Sequence, residues 1–492
     1  MQKVFDNPST LESLVKEKYG FPDFIMMENA ALAIKNLILD LKASTQASCI
    51  ILCGKGNNGG DGYALARLLY GQLEVLLFCL ESPVAEEAKK QYAMCKKMGI
   101  KFVSKNKLFE LLQKSPEFIV DCLYGTGFKG ELSPKVLKIL EAANKAKSTR
   151  IACDIPTALS FNAHYTVTMG EQKLALFSDK AKQVCGKIIL APLGIDRTLF
   201  ESLVPSSKIP AFLITANDIK LPMRTNKASH KGSYGHTAVF SGEKSGAAII
   251  CATAAINFGS GLTSLIRGKK SNLGQFKISP ELMISEPRAD KPIIPAKTSC
   301  IVFGPGIERM EPQDVSCIKQ WFVSTNTKNP AAVFDAGIFS EPTFPALLNE
   351  LNIRTDARIV LTPHLLELTR LCKNLKIFKD ITVTELAENP ETKIKIGKKL
   401  NKLFPNTTLV IKSANTFITS GGQTFIITDG APSLAKGGSG DLLAGMIAAL
   451  LSQGYSAKDA AITACEAHAL IGKTYGEESY DFSPEKIFNN KG

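Results

Sequence analysis

The sequence predicts an α/β protein built from two three-layer αβα domains. Three observations carry this expectation. Short apolar runs alternate with helical stretches along the chain, the pattern of parallel strands joined by crossover helices. The polar and Gly-rich segments follow these runs rather than precede them, as they do where loops gather at the carboxyl edge of a parallel sheet. A length of 492 residues calls for two or three hydrophobic cores rather than one.

Taken in order, the first stretch reads as a helix to about Lys18 and a second from Phe24 to Leu41. On the second, Glu28 is either an exposed charge or a polar group aimed at a site. Ser48–Cys53 is a short apolar run of the buried-strand type. The polar segment Gly54-Lys-Gly-Asn57-Asn58-Gly59-Gly60-Asp61-Gly62 follows and leads into a helix from Tyr63 to Tyr70. Gly54, Gly56 and Gly59 satisfy the dinucleotide pattern G-x-G-x-x-G, a weak signal alone. Asn57, Asn58 and Asp61 add amides and a carboxylate. These suit a ligand with several hydroxyls or an oxygen-coordinated cation. Val75–Leu80 is the next strand, Glu86–Met98 a helix, and Phe118–Asp121 a strand ending on an acid. After the flexible segment Cys122–Gly130 comes a helix, Pro134–Ala146, and a fourth strand reaching Asp154-Ile-Pro-Thr157. Acids at successive strand ends line one crevice in an open parallel sheet.

A proline-rich junction separates the halves, with one strand near Ala211–Thr215. The expected domains are therefore 1–215 and 216–492. The second half gives strands at Thr237–Phe240, Cys300–Phe303, Ala331–Asp335, from Arg358 to about Thr362 and at Thr408–Lys412, then a hairpin through Gly421-Gly422. Ala247–Phe258 is a small-residue helix, the composition of close helix packing. Gly304-Pro-Gly306, Asp335, Thr362-Pro-His364 and Lys412 each end or follow a strand. His364 stands open between a structural and a ligand role. Lys412 is a candidate phosphate partner.

The densest signal is Ala435-Lys-Gly-Gly-Ser-Gly-Asp441, set before an apolar helix. Gly437, Gly438 and Gly440 are expected to take positive φ and bring their N–H groups to an anion. Beside such an anion hole Asp441 makes sense as a base that takes a proton from a hydroxyl attacking a phosphoryl group. The plainer reading is a Gly-rich turn with Asp441 as a helix cap.

Composition excludes several classes. No apolar run is long enough to span a membrane, and the first residues lack the apolar core of a signal peptide. The twelve cysteines form no C-x-x-C and no metal-spaced cluster; buried thiols in a reducing cytoplasm are expected. The net charge is +13, but the lysines are dispersed and no aromatic platform accompanies them, so nucleic acid is not the expected partner.

The segments Asn57-Asn-Gly-Gly-Asp61, Asp121–Glu131 and Asp154-Ile-Pro-Thr157 resemble the NAD(P)H-hydrate epimerase domain, a Rossmann-like fold, over about residues 1–210. The resemblance implies substrate contacts from Asn57, Asn58, Gly59, Gly60, Asp61, Gly125, Thr126, Gly127, Phe128, Lys129, Gly130, Glu131 and Asp154. It makes Asp154 the catalytic acid and assigns a potassium ion to Asn58, Asp121 and Thr157. Threonine stands at 157 where the family has serine, and Ala158 stands where glycine is usual.

Lys231-Gly-Ser-Tyr-Gly-His236, Gly304-Pro-Gly306, Leu361-Thr-Pro-His364 and the Gly-Ser-Gly-Asp441 turn resemble ribokinase-like folds. Within these they resemble the ADP-dependent NAD(P)H-hydrate dehydratases, over about 220–480. The resemblance implies hydrate contacts from Ala247, Gly306, His364 and Asp441. It implies nucleotide contacts from Lys412, Ser413, Ala414, Asn415, Thr416 and Gly440, with Asp441 catalytic and magnesium as the charge-neutralising ion. Lys412-Ser-Ala-Asn-Thr416 replaces the usual Lys-Gly-Ala-Gly-Thr. The expected substrates are NADHX and NADPHX with ADP, handled by a cytoplasmic homo-oligomer. Two alternatives stand beside this reading. One is a ribokinase-like kinase of a vitamin-precursor alcohol fused to a nucleotide-binding domain. The other is a non-catalytic nucleotide-binding protein.

Overall fold

A computed structural model describes residues 1–6, 8–43, 46–289, 291–476 and 478–484. The chain forms two compact units, Lys3–Pro210 and Ala211–Gly492, the second joined by Met1–Gln2. Sequence composition had suggested a change of domain at 215.

The first unit is built on a seven-stranded sheet. Its order is Lys101–Phe102, Glu74–Cys79, Ser48–Cys53, Phe118–Cys122, Thr149–Cys153, Tyr165–Met169 and Lys187–Ala191. Every pairing is parallel. Ser48–Cys53 and Phe118–Cys122 are central, and their continuous apolar character follows from burial on both faces. Ile50, Leu52, Ile119 and Ala152 pack one face against Leu108, Leu112, Val136 and Leu140 of the helices Lys105–Gln113 and Pro134–Lys145. The other face takes the helix Asn57–Leu69, where a Cβ at Gly62 would stand 2.7 Å from Cys53 Sγ. The chain moves outward in both directions from Ser48–Cys53, so a crevice opens at the carboxyl ends of that strand and Phe118–Cys122. A separate short parallel pair sets Val4 opposite Gln172 and Phe5 opposite Lys173.

One expectation needs correcting here. The polar segment 57–62 is not an extended loop; helix begins at Asn57. The glycines are there for contact rather than flexibility. A Cβ at Gly59 would lie 1.9 Å from Gly54 O, and one at Gly60 2.5 Å from Met27 Cε. Glu28 is also resolved. It takes Arg67 and Gln91 as partners and ties three helices together.

In the second unit the strands run in the order Met283–Ser285, Leu262–Arg267, His236–Ser241, Cys300–Phe303, Ala331–Phe334, Arg358–Leu361, Thr407–Ile411, Thr416–Ser420, Gln423–Ile427 and Ala211–Leu213. Pairing is parallel up to Thr407–Ile411, where the hairpin Thr416–Ile427 turns antiparallel. Val239, Val302, Val333 and Val360 pack against the helices Ser245–Asn257, Ser439–Ser452 and Ala457–Tyr475. Alternate residues point the other way, and Phe334 meets Phe344 of helix Phe344–Asn352 at 5.3 Å between ring centroids. Helices thus cover both faces. The alanine-rich helix packs closely, as expected: a Cβ at Gly445 would stand 2.1 Å from Cys251 O.

Candidate active sites

In the first unit the crevice gathers three strand ends. Asp154 lies just past Thr149–Cys153 with φ of +73°, a left-handed conformation that aims its side chain across the strand ends. Its Oδ2 accepts hydrogen bonds from Thr126 N at 3.0 Å and Thr126 Oγ1 at 3.2 Å. Its Oδ1 is in an ion pair with Lys173. A Cβ at Gly125 would collide with Asp154 Oδ2 at 2.7 Å and approach Asn58 Cγ at 3.6 Å, so the site requires glycine there. The structure therefore brings Asn58, Gly125, Thr126 and Asp154 together. Phe128 stacks on Tyr124 at 4.5 Å. Asn57, Gly127, Lys129, Gly130 and Glu131 are exposed on the rim. Asp61 is within range of Cys153 Sγ, at 3.8 Å from its Oδ2, and burial drives its carboxyl far up from the ordinary range.

Asp121, wholly buried, accepts from Thr157 N and Thr157 Oγ1, each at 2.8 Å. Burial pushes its carboxyl up to about 6 against the pull of those bonds. Both amide atoms of Asn58 are buried without a hydrogen-bond partner among the described residues. Ala158 carries φ of +48°, which is the physical reason a glycine suits this position.

In the second unit the ends of four neighbouring parallel strands converge. Gly304 has φ of +129°, and a Cβ there would strike Asp335 O at 1.8 Å. Gly306, at φ +70°, sits against Lys244 O and the Ala247 side chain, so Gly306 and Ala247 are neighbours as expected. Asp335 is buried and accepts from Thr362 Oγ1 at 2.7 Å and from Lys412 Nζ at 2.7 Å. Burial opposes the charge on Lys412, but Asp335, Glu367 and Asp441 outweigh it and raise the ammonium above its ordinary range. A Cβ at Gly440 would lie 3.3 Å from Lys412 Nζ and 3.9 Å from Asp335 Oδ2. Asp441 is in the first turn of helix Ser439–Ser452. Burial, then the Asp335 charge, push it up to about 6, with Lys412 pulling the other way. A carboxyl poised there is mostly ionised near neutrality, yet more basic than an ordinary carboxylate, and suited to take a proton.

Two expectations change on contact with the structure. Of the three glycines in the turn, Gly438 alone takes positive φ, at +90°; Gly440 is already helical. Gly440 is small because Lys412 and Asp335 approach it. His364 is a helix cap: its N donates to Glu367 Oε2 at 2.9 Å and its Nδ1 accepts from Glu367 N at 3.3 Å. Its ring is half exposed, so any ligand contact is a second task.

Sequence reasoning missed three groups. Lys173 carried no motif. Asp335 was noted as a strand-end acid but given no role. Lys393, fully buried on helix Pro390–Leu403, donates to Ser413 Oγ at 2.8 Å and lies 4.9 Å over the Phe417 ring. Ser413 Oγ in turn donates to Asn415 O at 2.6 Å. These bonds fix the Lys412–Thr416 turn that lacks two glycines.

The YjeF-related protein N-terminus model matches residues 23–175, and the NAD(P)H-hydrate dehydratase model matches 238–491. The bifunctional NAD(P)H-hydrate repair enzyme of Helicobacter pylori is 35% identical, over 98% of this chain and 98% of its own. Its Escherichia coli K12 namesake is 30% identical, over 85% of this chain and 79% of its own. With an acid-centred crevice in each matched half and full-length similarity between them, this chain belongs to the family of bifunctional NAD(P)H-hydrate repair enzymes.

Proposed function

We propose that each unit performs one step of nicotinamide nucleotide repair. The first interconverts the R and S hydrates at C6 of the damaged ring through Asp154. The second dehydrates the S form at the expense of ADP through Asp441. The observation that carries this reading is the pair of family matches, one in each unit, each falling on a crevice with an acid at its centre.

In the second unit, hydroxide is a poor leaving group, so the C6 hydroxyl is first made a phosphate ester. Asp441 takes the hydroxyl proton as the oxygen attacks the β-phosphorus of ADP, and AMP departs. Phosphate then leaves C6 while C5 loses a proton, giving NAD(P)H. The N–H groups at the start of helix Ser439–Ser452 and the Lys412 ammonium face the charge that develops in transfer. Ser413, Ala414, Asn415, Thr416 and Gly440 hold the AMP portion; Ala247, Gly306 and His364 border the hydrate. A magnesium ion fits this donor set. No preformed cluster of three or more His, Cys, Asp or Glu ligands exists among the described residues. Magnesium is commonly held by one or two carboxylates plus substrate phosphates, and Asp335, Glu367 and Asp441 are the carboxylates facing Lys412. It would supply neutralisation of phosphate charge.

In the first unit Asp154 moves the proton, Thr126 orients it, and the rim from Gly125 to Glu131 with Asn57 to Asp61 binds the nucleotide. A potassium ion fits the oxygen donors of Asn58, Asp121 and Thr157: the Asn58 carboxamide is buried without a partner among the described residues and lies beside Gly125, and Asp121 and Thr157 are hydrogen-bonded to each other. Bound there, it would supply a fixed positive charge for the nucleotide. Cytoplasmic residence is supported by twelve free cysteines.

The test is S-hydrate dehydration by the full chain with ADP or ATP. Recovery of NADH absorbance with release of AMP supports the reading. A stable phosphorylated vitamin-precursor alcohol and no NADH would favour the kinase alternative.

A further inference from the structure

Lys173 sits on the two-residue strand Gln172–Lys173 and is 3% exposed. Four titratable side chains face its ammonium: Glu12 from the first helix, Asp61 from helix Asn57–Leu69, and Cys153 and Asp154 from the strand end. One buried ammonium cannot satisfy three carboxyls, and the geometry shows which it takes. Asp154 Oδ1 receives Lys173, while Oδ2 receives both donors of Thr126. Among the described residues Asp61 has the weak Cys153 thiol as its side-chain donor, and Glu12 is half-buried on its helix.

We propose that Lys173 is a positioning residue of the epimerase centre, its ammonium selecting Asp154 from the three surrounding carboxyls as the ionised acid and fixing it against Thr126. The proposal rests on the reading of Asp154 as the epimerase acid.

The physical logic is differential. A buried carboxyl next to an ammonium favours its charged form, and one without a partner favours the neutral form. Glu12 and Asp61 are both driven toward the protonated state, chiefly by burial. The Cys153 thiol is likewise held protonated by Cys122 and burial. The ammonium itself is pulled down to about 8 by burial, the three acidic neighbours opposing. The ion pair the geometry shows is Lys173 with Asp154, while burial disfavours charge on Asp61 and Glu12 beside it. Asp61 then serves the nucleotide as a hydrogen-bonding acid, and Asp154 as the one proton acceptor. Glu12 precedes residue 23, where the family match begins, so the first helix of this chain contributes a wall to the centre.

The experiment uses the full chain and the R and S hydrates of NADH, with epimerisation followed by chromatographic separation of the two forms. Lys173→Met and Lys173→Gln are expected to lower the epimerisation kcat at least about 100-fold with KM held within about threefold, the scale of losing a positioned acid–base group. Lys173→Arg should recover at least about tenfold of that loss. Asp61→Asn, at a residue that also binds the nucleotide, should act mainly by raising KM and should lower kcat at least about tenfold less than Asp154→Asn does. Asp154→Asn should be as damaging as Lys173→Met or more so. Wild-type kcat in Lys173→Met or Lys173→Gln, with Asp154→Asn inactive, overturns the role of Lys173. A kcat loss in Asp61→Asn equal to that in Asp154→Asn overturns the selection. Active Asp154→Asn overturns the underlying reading of the centre instead. Should methionine prevent folding, seen as lost hydrate binding, the glutamine variant decides by the same criteria.

Discussion

Each unit places a lysine against an acid at a strand end, yet the two centres use the pair differently. In the first, the lysine binds the acid proposed to react: Lys173 on Asp154. In the second, the lysine binds a neighbour. Lys412 pairs with Asp335, and Asp441 is left with burial and a like charge that push it up to about 6. One arrangement fixes a carboxylate in place. The other leaves a base whose ionisation is set near neutrality and makes the lysine available for phosphate. The lesson is that the partner of the lysine, rather than its presence, decides what the nearby acid does.

Breaking each acid separately gives the largest expected effect. Asp441→Asn should lower dehydration about 1,000-fold or more and leave epimerisation intact, and Asp154→Asn should do the reverse; separate assays of the two activities in each full-length variant check this. Next is the pH dependence of dehydration. The base must be ionised, and Asp441 in the free protein is raised to about 6. The kcat/KM should therefore fall on the acid side as pH drops through about 6. Asp335→Asn removes the like charge, so this acid limb should move to lower pH; a pH–rate profile of the variant reads the shift. It should also cost about 10- to 100-fold in rate, because Lys412 loses its anchor. Smaller still is Ala158→Gly. Relief of the left-handed alanine, less the entropy lost by glycine, should stabilise the first unit by about 0.5–1 kcal/mol in denaturant melts.

The parts of this picture that are local in the chain were legible from sequence. Strands such as Ser48–Cys53 and Phe118–Cys122 are continuous apolar runs, because both faces are buried. Asp154 stands at a strand end and Asp441 beside turn glycines, positions that mark both as candidates, while the role of Asp154 came from the family resemblance. The strand Tyr165–Met169 was missed because its threonines break the apolar run, and the edge strand Lys187–Ala191 beside it was not predicted. Lys173 was invisible for a different reason. It reaches Asp154 through a short pairing with Val4–Phe5, and no local pattern encodes that register. The Asp335–Lys412 pair is likewise made over an intervening strand, Arg358–Leu361, which no local pattern encodes. The cap role of His364 was readable in principle, since Glu367 stands three residues on in capping-box spacing. The glycines at 437 and 440 were over-read: a run of glycines marks a tight place without saying which member needs positive φ and which only needs to be small.

The central claim is that two acids on one chain serve two separate proton transfers. The most direct measurement is ADP-dependent recovery of NADH absorbance from pure S-hydrate, alongside R-to-S interconversion, in the Asp441→Asn full-length protein. The account predicts no NADH recovery and epimerisation at the wild-type rate. NADH recovery at an undiminished rate would contradict it.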